Sequence, residues 1–362
     1  MPTKLIAFIA SLTLTALLAI SLNSPVVTQA EALLQEVPRL DGANIYFTEA
    51  GKEASRFDRS DAGISRFAGL LRMLGANLHT LEWRTGFPAN ADLIVIAGPV
   101  DDLQPDQIAR LWAYVNNGGR LLLLADPVVN PVRALPANSG LFQLMWADMG
   151  LRARSDIAVV ESDRIASPPA DGTEEPQAGS AGALIVDFVT ANINTSHPIA
   201  SGGISEVAFF GARTLEFDAS PQGYEVTPLI YTDSNFYGET AYAAYLEDGT
   251  FTFNIGQDTT RGELALAAAY DNPRANSRVV VIGDREFATN GRGLQTSPPN
   301  TASFLYPGNV RFLLNAVTWL LDSEPVDLSF PTPGPTATAT ITPSPTPTPT
   351  PEALPTEEEA GS

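Results

Sequence analysis

Cysteine is absent from all 362 residues of the chain. That zero excludes disulfides, thiolate metal sites, a cysteine nucleophile and the lipidated cysteine of a bacterial lipoprotein. Histidine is nearly absent, with two copies. His79 stands in a strand-like stretch and His197 precedes Pro198, and with no motif beside either one, both read as structural residues rather than general bases. Positive charge is also in deficit: 21 Lys and Arg face 41 Asp and Glu, for a formal net charge of -20. Nucleic acid and anionic membrane surfaces need local positive charge to displace counterions, so neither is expected as a partner. Two chemistry-bearing loops are missing as well. No G-x-G-x-x-G or G-x-x-x-x-G-K pattern follows a strand, which disfavours nucleotide binding. The strand-to-helix turn after Ala97 supplies Gly98 and Pro99 where a nucleophile elbow needs Ser or Cys. No catalytic residue and no cofactor is therefore assigned.

What remains is 44% hydrophobic, enough for one large or two medium domains with a substantial core. Lys4 precedes LIAFIASLTLTALLAISL, an apolar run of bilayer-crossing length, so residues 1–30 read as an export segment. Small residues around Thr28 and Ala30 suit signal peptidase, and the length of the run suits an uncleaved anchor equally well. Either reading places the body outside the cytoplasm, membrane-anchored by its N-terminus or secreted.

The body, residues 40–325, alternates strand and helix patterns. Residues 43–47 read as a first strand. A helix is expected from Ser60, with Ile64, Phe67, Leu71 and Leu74 at helical spacing, Asp61 in its first turn and Gly75 at its end. Residues 77–83 return to strand composition. Residues 93–97 and 121–124 are unbroken apolar runs, the pattern of parallel strands covered on both faces. Between them, Gln104 as N-cap, Pro105 at the first helical position, Gln107 reaching back and Leu103 stapled to Ile108 predict a helix that stops at Gly118 and Gly119. A right-handed βαβ crossover follows.

Further along, residues 141–149 predict a helix ended by Gly150, and residues 166–182 a mobile loop rich in Pro, Gly and acid. Residues 183–256 form a β-rich region added to the sheet. Within it, residues 241–246 and 251–255 flank Asp248 and Gly249, the signal of a hairpin. Residues 264–270 and 278–282 read as strands, and Asn309 as the opening of a helix with Val310, Leu313, Leu314, Val317 and Leu321 on one face.

A parallel sheet binds ligands at the carboxyl ends of its strands. Those ends present Glu49, Gly98, Asp126 and Asp284; with Asn290 in the segment after Asp284 and Asn309 at the opening of the terminal helix, these six are the candidate ligand-binding residues. If their strands are neighbours, Asp126 and Asp284 share one edge. Paired carboxylates there would bind a divalent cation or share a proton, whereas an aspartate just past a strand more commonly caps a turn or helix. No metal ligand set is assigned. Trp83, Tyr237 and Tyr242 are candidate stacking platforms for a glycan.

Several segments then occur in a recognisable order: ADLIVIAGP, the Pro105 helix, NNGGRLLLLADP, the helix leading into MGLRARSDIAVV, SHPIA, RVVVIGDREFATN and GNVRFLLNAVTWLL. In this order they resemble the extracytoplasmic gliding-motility-type auxiliary proteins of ABC transporters, and a related bacterial family of unknown function, over most of residues 43–321. The resemblance implies a three-layer α/β/α sandwich of flavodoxin-like type, similar to class I glutamine amidotransferases without their catalytic cysteine. It also implies a non-catalytic accessory or ligand-sensing role beside a transporter, with a permease and an ATPase as partners. The chain departs from the family in lacking a second membrane span.

Residues 326–362 carry a Pro/Thr repeat over 331–351 and an acidic end. Such a repeat cannot build a core and favours extended polyproline II of on the order of 60 Å. It reads as a stalk, open to glycosylation on threonine. LPTEE misses the sortase pattern, because Glu358 stands where glycine is needed. The remaining alternatives to the accessory role are a metal-dependent or amidotransferase-like hydrolase using strand-end carboxylates, and a stalked module binding glycans of the cell envelope.

Overall fold

A strand with helices on both sides has to be apolar at every position, and two stretches of this chain meet that condition in neighbouring places. The computed structural model describes residues 40–127, 134–162, 183–218 and 223–322. The export segment, the loop expected over 166–182 and the Pro/Thr stalk lie outside the described residues. The first elements are β1 (Asn44–Phe47), α1 (Ser65–Met73), β2 (Asn77–Thr80), β3 (Leu93–Ala97), α2 (Pro105–Asn116) and β4 (Arg120–Leu124). All of β3 and the last four residues of β4 are buried. The two strands run parallel, Ile94 opposite Leu121 and Ala97 opposite Leu124. Gln107 Oε1 accepts the Gln104 N–H at 2.8 Å and Pro105 takes the first helical position, so α2 starts where its cap residues predict.

The chain continues through α3 (Gly140–Met149), β5 (Leu151–Ala153), β6 (Ile157–Glu161), β7 (Leu184–Ile185), β8 (Asp187–Thr190) and β9 (Val207–Phe210). It then forms β10 (Leu215–Phe217), β11 (Glu225–Tyr231), β12 (Tyr237–Glu239) and α4 (Tyr242–Asp248). The last described elements are β13 (Ala265–Asn272), β14 (Ser277–Ile282) and α5 (Pro307–Leu320). Seven strands make the main sheet in the order β11-β13-β14-β4-β3-β1-β2. From β14 to β2 every pair is parallel, and β13 and β11 join antiparallel. The protein is thus a mixed α/β structure with smaller sheets, β10-β5, β12-β6-β7 and β8-β9, beside the large one.

Strand alternation sorts the core into two clusters. Leu93, Val95 and Ala97 face Phe67 and Leu71 of α1 and Phe312 and Leu313 of α5. Ile94 and Ile96 face Leu111 and Val115 of α2 and Phe142 and Met145 of α3. Each of the Leu, Ile, Val, Phe and Met side chains among them contributes about 1.5–3 kcal/mol on burial, which is why both faces of the hub strands are covered.

Four expectations need correction. Asp61 lies before α1, whose first turn holds no acid; Asn290 serves that helix start from a distant part of the chain, its Oδ1 accepting the Arg66 N–H at 2.9 Å. The strand expected over 77–83 ends at Thr80, and Trp83–Thr85 winds into a 3-10 turn. The Asp248-Gly249 hairpin is absent: Tyr242–Asp248 is helical, and Gly249 (φ 72°) closes it by donating to Tyr245 O at 2.8 Å. Asp-Gly suits both a hairpin turn and a left-handed helix cap, and the Ala, Leu and Glu before it favour the helix. Finally, α5 begins two residues ahead of Asn309 and is not one-sided. All of 309–320 except Arg311 and Trp319 is buried, because β9 and the 3-10 turn Pro198–Ala200 pack on it beside the sheet. His197 caps that turn, its Nδ1 accepting the Ile199 N–H at 3.2 Å. Among the described residues no helix is long and apolar enough to cross a membrane.

Candidate functional site

Parallel pairing of β4 and β14 in register, Leu124 opposite Ile282, brings Asp126 and Asp284 to one edge. The Ala125 N–H donates to Ile282 O at 2.8 Å, extending the ladder one step beyond the strands. Asp284 is fully buried. Its Oδ2 accepts the Phe210 N–H at 2.8 Å and its Oδ1 the Glu286 N–H at 2.7 Å, so it ties β9 to the loop after β14. Asp126 Oδ1 accepts the Arg285 N–H at 2.8 Å, and its Oδ2 lies 3.2 Å from Arg285 Nε.

Two arginines organise this edge. Arg285 runs under Gly98, where a Cβ would collide with its aliphatic stem; Gly98 also holds φ +68°. The glycine therefore makes room for the cation. Arg213 has no exposed surface. It has no carboxylate within ion-pair distance among the described residues, and it donates instead to four carbonyls: Asp126 O (3.0 Å), Leu135 O (2.7 Å), Ala153 O (3.4 Å) and Arg154 O (2.5 Å). Its guanidinium carbon lies 5.1 Å from the Phe142 ring centroid. Burial pulls its pKa down to about 10, against the pull of Asp156 and Asp126.

The acids shift the other way. Burial raises Asp284 to about 8, and Asp126 and Glu286 add to the rise while the two N–H donors oppose it. Asp126 is raised by burial, with Arg285 and Arg213 opposing. Glu286 is raised by burial and then by Asp126, with Arg292 and Arg285 opposing. Three acids and two arginines thus share one desolvated strand edge.

This edge forms one wall of a cleft of about 740 Å³, where Asp126, Arg285 and Glu286 face Phe210, Tyr242 and Leu246. The other candidates lie elsewhere. Glu49, half-buried, accepts from Ser55 Oγ at 3.1 Å and lines a separate cleft of about 420 Å³ at the ends of β1 and β2. Asn290 donates to Asp58 O, Ser60 O and Ser65 Oγ as well as accepting from Arg66, and is a clamp on the start of α1. Asn309 is buried and pairs with Ala208 both ways, accepting from its N–H and donating to its carbonyl at 2.8 Å each. Both amides are spent on the fold. Trp83, Tyr237 and Tyr242 are buried, so they offer no stacking platform at the surface.

Arg285 was readable in GDREF beside Asp284 but carries no motif. Arg213 sits in an ordinary strand connection, and nothing in its neighbourhood of sequence signals a buried cation.

No curated protein matches the chain. Solved structures with similarity include the N-terminal domain of mmIFT52, at 13% identity over 77% of this chain and 97% of that one, with a TM-score of 0.48. A putative ThuA-like protein from Bacteroides uniformis has 14% identity over 79% and 92%, with a TM-score of 0.38. An exo-β-1,4-mannosidase from Opitutaceae bacterium strain TAV5 has 13% identity over 68% and 32%, with a TM-score of 0.31. The family described as an ABC-type uncharacterized transport system matches residues 74–316, well over half of the chain, and the protein belongs to this ABC-transporter auxiliary family.

Proposed function

We propose that the protein is a non-catalytic extracytoplasmic accessory of an ABC-type transport system, held at the membrane by its N-terminal segment or released from it, and scaffolding or sensing ligand for a permease and an ATPase. Family membership supports the association with transport. The non-catalytic reading rests on one observation: the strand-end carboxylates are already bonded. Both oxygens of Asp284 accept backbone N–H groups, and Asp126 is held by Arg285 through its backbone and its guanidinium. Bonded in this way, the two aspartates already serve the fold, which supports a structural role for them over a metal-activated or acid–base one.

The fold in this proposal is the flavodoxin-like three-layer sandwich of class I glutamine amidotransferases, used without their nucleophile. The cleft beside Arg285 is then the place where a ligand is sensed, with Arg285 and Glu286 as its polar contacts. Purification of the full chain from native membranes tests the role, and the expected result is recovery of an ATPase and a permease with it. Repeated recovery of the chain without either overturns the transport reading. Stoichiometric divalent metal in the purified protein, lost with Asp284→Ala in a variant that still folds, would instead favour the hydrolase.

A further inference from the structure

Arg285 is held along its length and left open at its tip. Asp126 Oδ1 accepts its backbone N–H at 2.8 Å, and Asp126 Oδ2 lies 3.2 Å from its Nε, which is buried. The stem is fixed by Gly98, whose missing Cβ leaves the space it occupies. Both Nη nitrogens donate to nothing among the described residues and are not sealed off, and Arg285 lines the cleft of about 740 Å³. Arg213, on the same strand edge, spends its donors on four carbonyls instead. An arginine oriented in this way and unspent at its end presents the planar pair of N–H donors that a carboxylate accepts in bidentate fashion.

The facing wall comes from α4. Tyr242 and Leu246, and Ala243 and Glu247, are spaced four apart and turn one side of that helix to the cleft. Tyr242 is 9% exposed, yet its hydroxyl makes no hydrogen bond among the described residues and is not sealed off. A tyrosine seated so presents a polar tip on a buried apolar body. Glu247 is exposed and has no ion pair among the described residues, and Glu286 lies 3.7 Å from Arg292 Nε. Ile157, Val186 and Phe210 add apolar lining.

The charges of the cleft select its ligand. An unspent guanidinium calls for an anionic group, but Glu247 and Glu286 line the same space and repel a simple anion. A positive group on the same ligand turns that repulsion into attraction. We propose that the cleft binds a short apolar peptide with both termini free, its carboxylate on Nη1 and Nη2 of Arg285 and its ammonium toward Glu247 and Glu286. The Tyr242 hydroxyl adds a hydrogen bond, and Phe210 and Leu246 cover the apolar side chains. The volume falls within the range of roughly 300–1,000 Å³ that takes ligands of this size. This inference rests on the reading of the cleft as the ligand site and not on partnership with a permease.

Calorimetric titration of the full chain with trileucine tests it, beside the N-acetyl and C-terminal amide forms of the same peptide. The zwitterion is expected to bind about tenfold more tightly than either blocked form. Arg285→Lys keeps a charge beside Asp126 and loses the planar fork, and is expected to weaken trileucine about tenfold while leaving the amide form unchanged. Tyr242→Phe removes one hydroxyl, for a loss of about three- to tenfold. Glu247→Gln changes an exposed side chain and should narrow the gap between trileucine and its N-acetyl form. Circular dichroism and Tm check the fold of each variant, and the blocked peptides with Glu247→Gln decide the matter should Arg285→Lys not fold. No binding of trileucine at about 1 mM overturns the proposal. Equal binding of all three peptides does so too, as does trileucine binding that folded Arg285→Lys and Tyr242→Phe leave untouched. A failed titration leaves the transport reading standing, and recovery of the chain without an ATPase or a permease leaves a positive titration standing.

Discussion

Replacing Arg213 by methionine tests the most unusual group in the structure. Methionine reproduces the unbranched apolar stem of the side chain, but it is shorter and donates nothing. The carbonyls of Asp126, Leu135, Ala153 and Arg154 lose a charged donor at once. An unpartnered buried acceptor costs about 1–3 kcal/mol, so four of them set a ceiling of about 12 kcal/mol. Two effects offset that ceiling. Returning the guanidinium to water in the unfolded state no longer competes, which is the desolvation that lowers its pKa to about 10, and small backbone shifts re-pair some carbonyls. A net destabilisation of about 3–5 kcal/mol follows, or about 10 °C in Tm for a domain of this size. Urea melts of the full chain read it directly, and the m-value should stay constant. Arg213→Lys keeps the charge but not the planar fork, and is expected to fall between the two, at about 2 kcal/mol. A methionine variant within 1 kcal/mol of the parent would show that the four carbonyls do not depend on Arg213, and the account of this strand edge would fail.

Stability should fall as pH rises across the weakly acidic and neutral range. Asp284, Asp126 and Glu286 have folded pKa values above their unfolded ones, so the folded state holds more protons; their contribution is complete below about pH 4 and is lost as pH rises through the folded values, about 8 for Asp284. Urea midpoints at a series of pH values measure this slope, and a flat or rising profile contradicts it. Gly98→Ala should cost about 1–3 kcal/mol, from its positive φ and from displacing Arg285, and should shift the Asp126 titration upward by NMR. Asn309→Ala leaves the Ala208 N–H and carbonyl buried without partners, for about 2–3 kcal/mol in thermal or chemical melts. Asn290→Ala should instead raise hydrogen exchange at the start of α1 more than elsewhere, since its amide holds Arg66 N–H and the preceding loop.

The hub was legible because its signals are local. Five apolar residues in β3, a Gln104-Pro105-Gln107 start and a Gly118-Gly119 stop each act within a turn or two of chain, and their agreement leaves the parallel pairing with β4 as the consistent solution. The 242–248 segment failed for the same reason in reverse. Asp248-Gly249 means a hairpin only if both flanks are strands, and the packing of Tyr242 and Tyr245 against Phe251 holds a helix there instead. Asn290 and Asn309 looked like ligand donors because an amide near a strand end is indistinguishable in sequence from an amide that clamps a loop.

By itself, the sequence determined the absence of thiol chemistry, the α/β character and the strands of the hub, because composition and short-range periodicity carry these, while the order of its motifs carried the resemblance to the family. It also put Asp126 and Asp284 just past two strands. Only the tertiary structure decided what those carboxylates do, since their partners are the backbone of Phe210, Glu286 and Arg285 and the side chain of an arginine more than 150 residues from Asp126. Burial and hydrogen bonding across such separations are properties of the folded chain, and no local pattern encodes them.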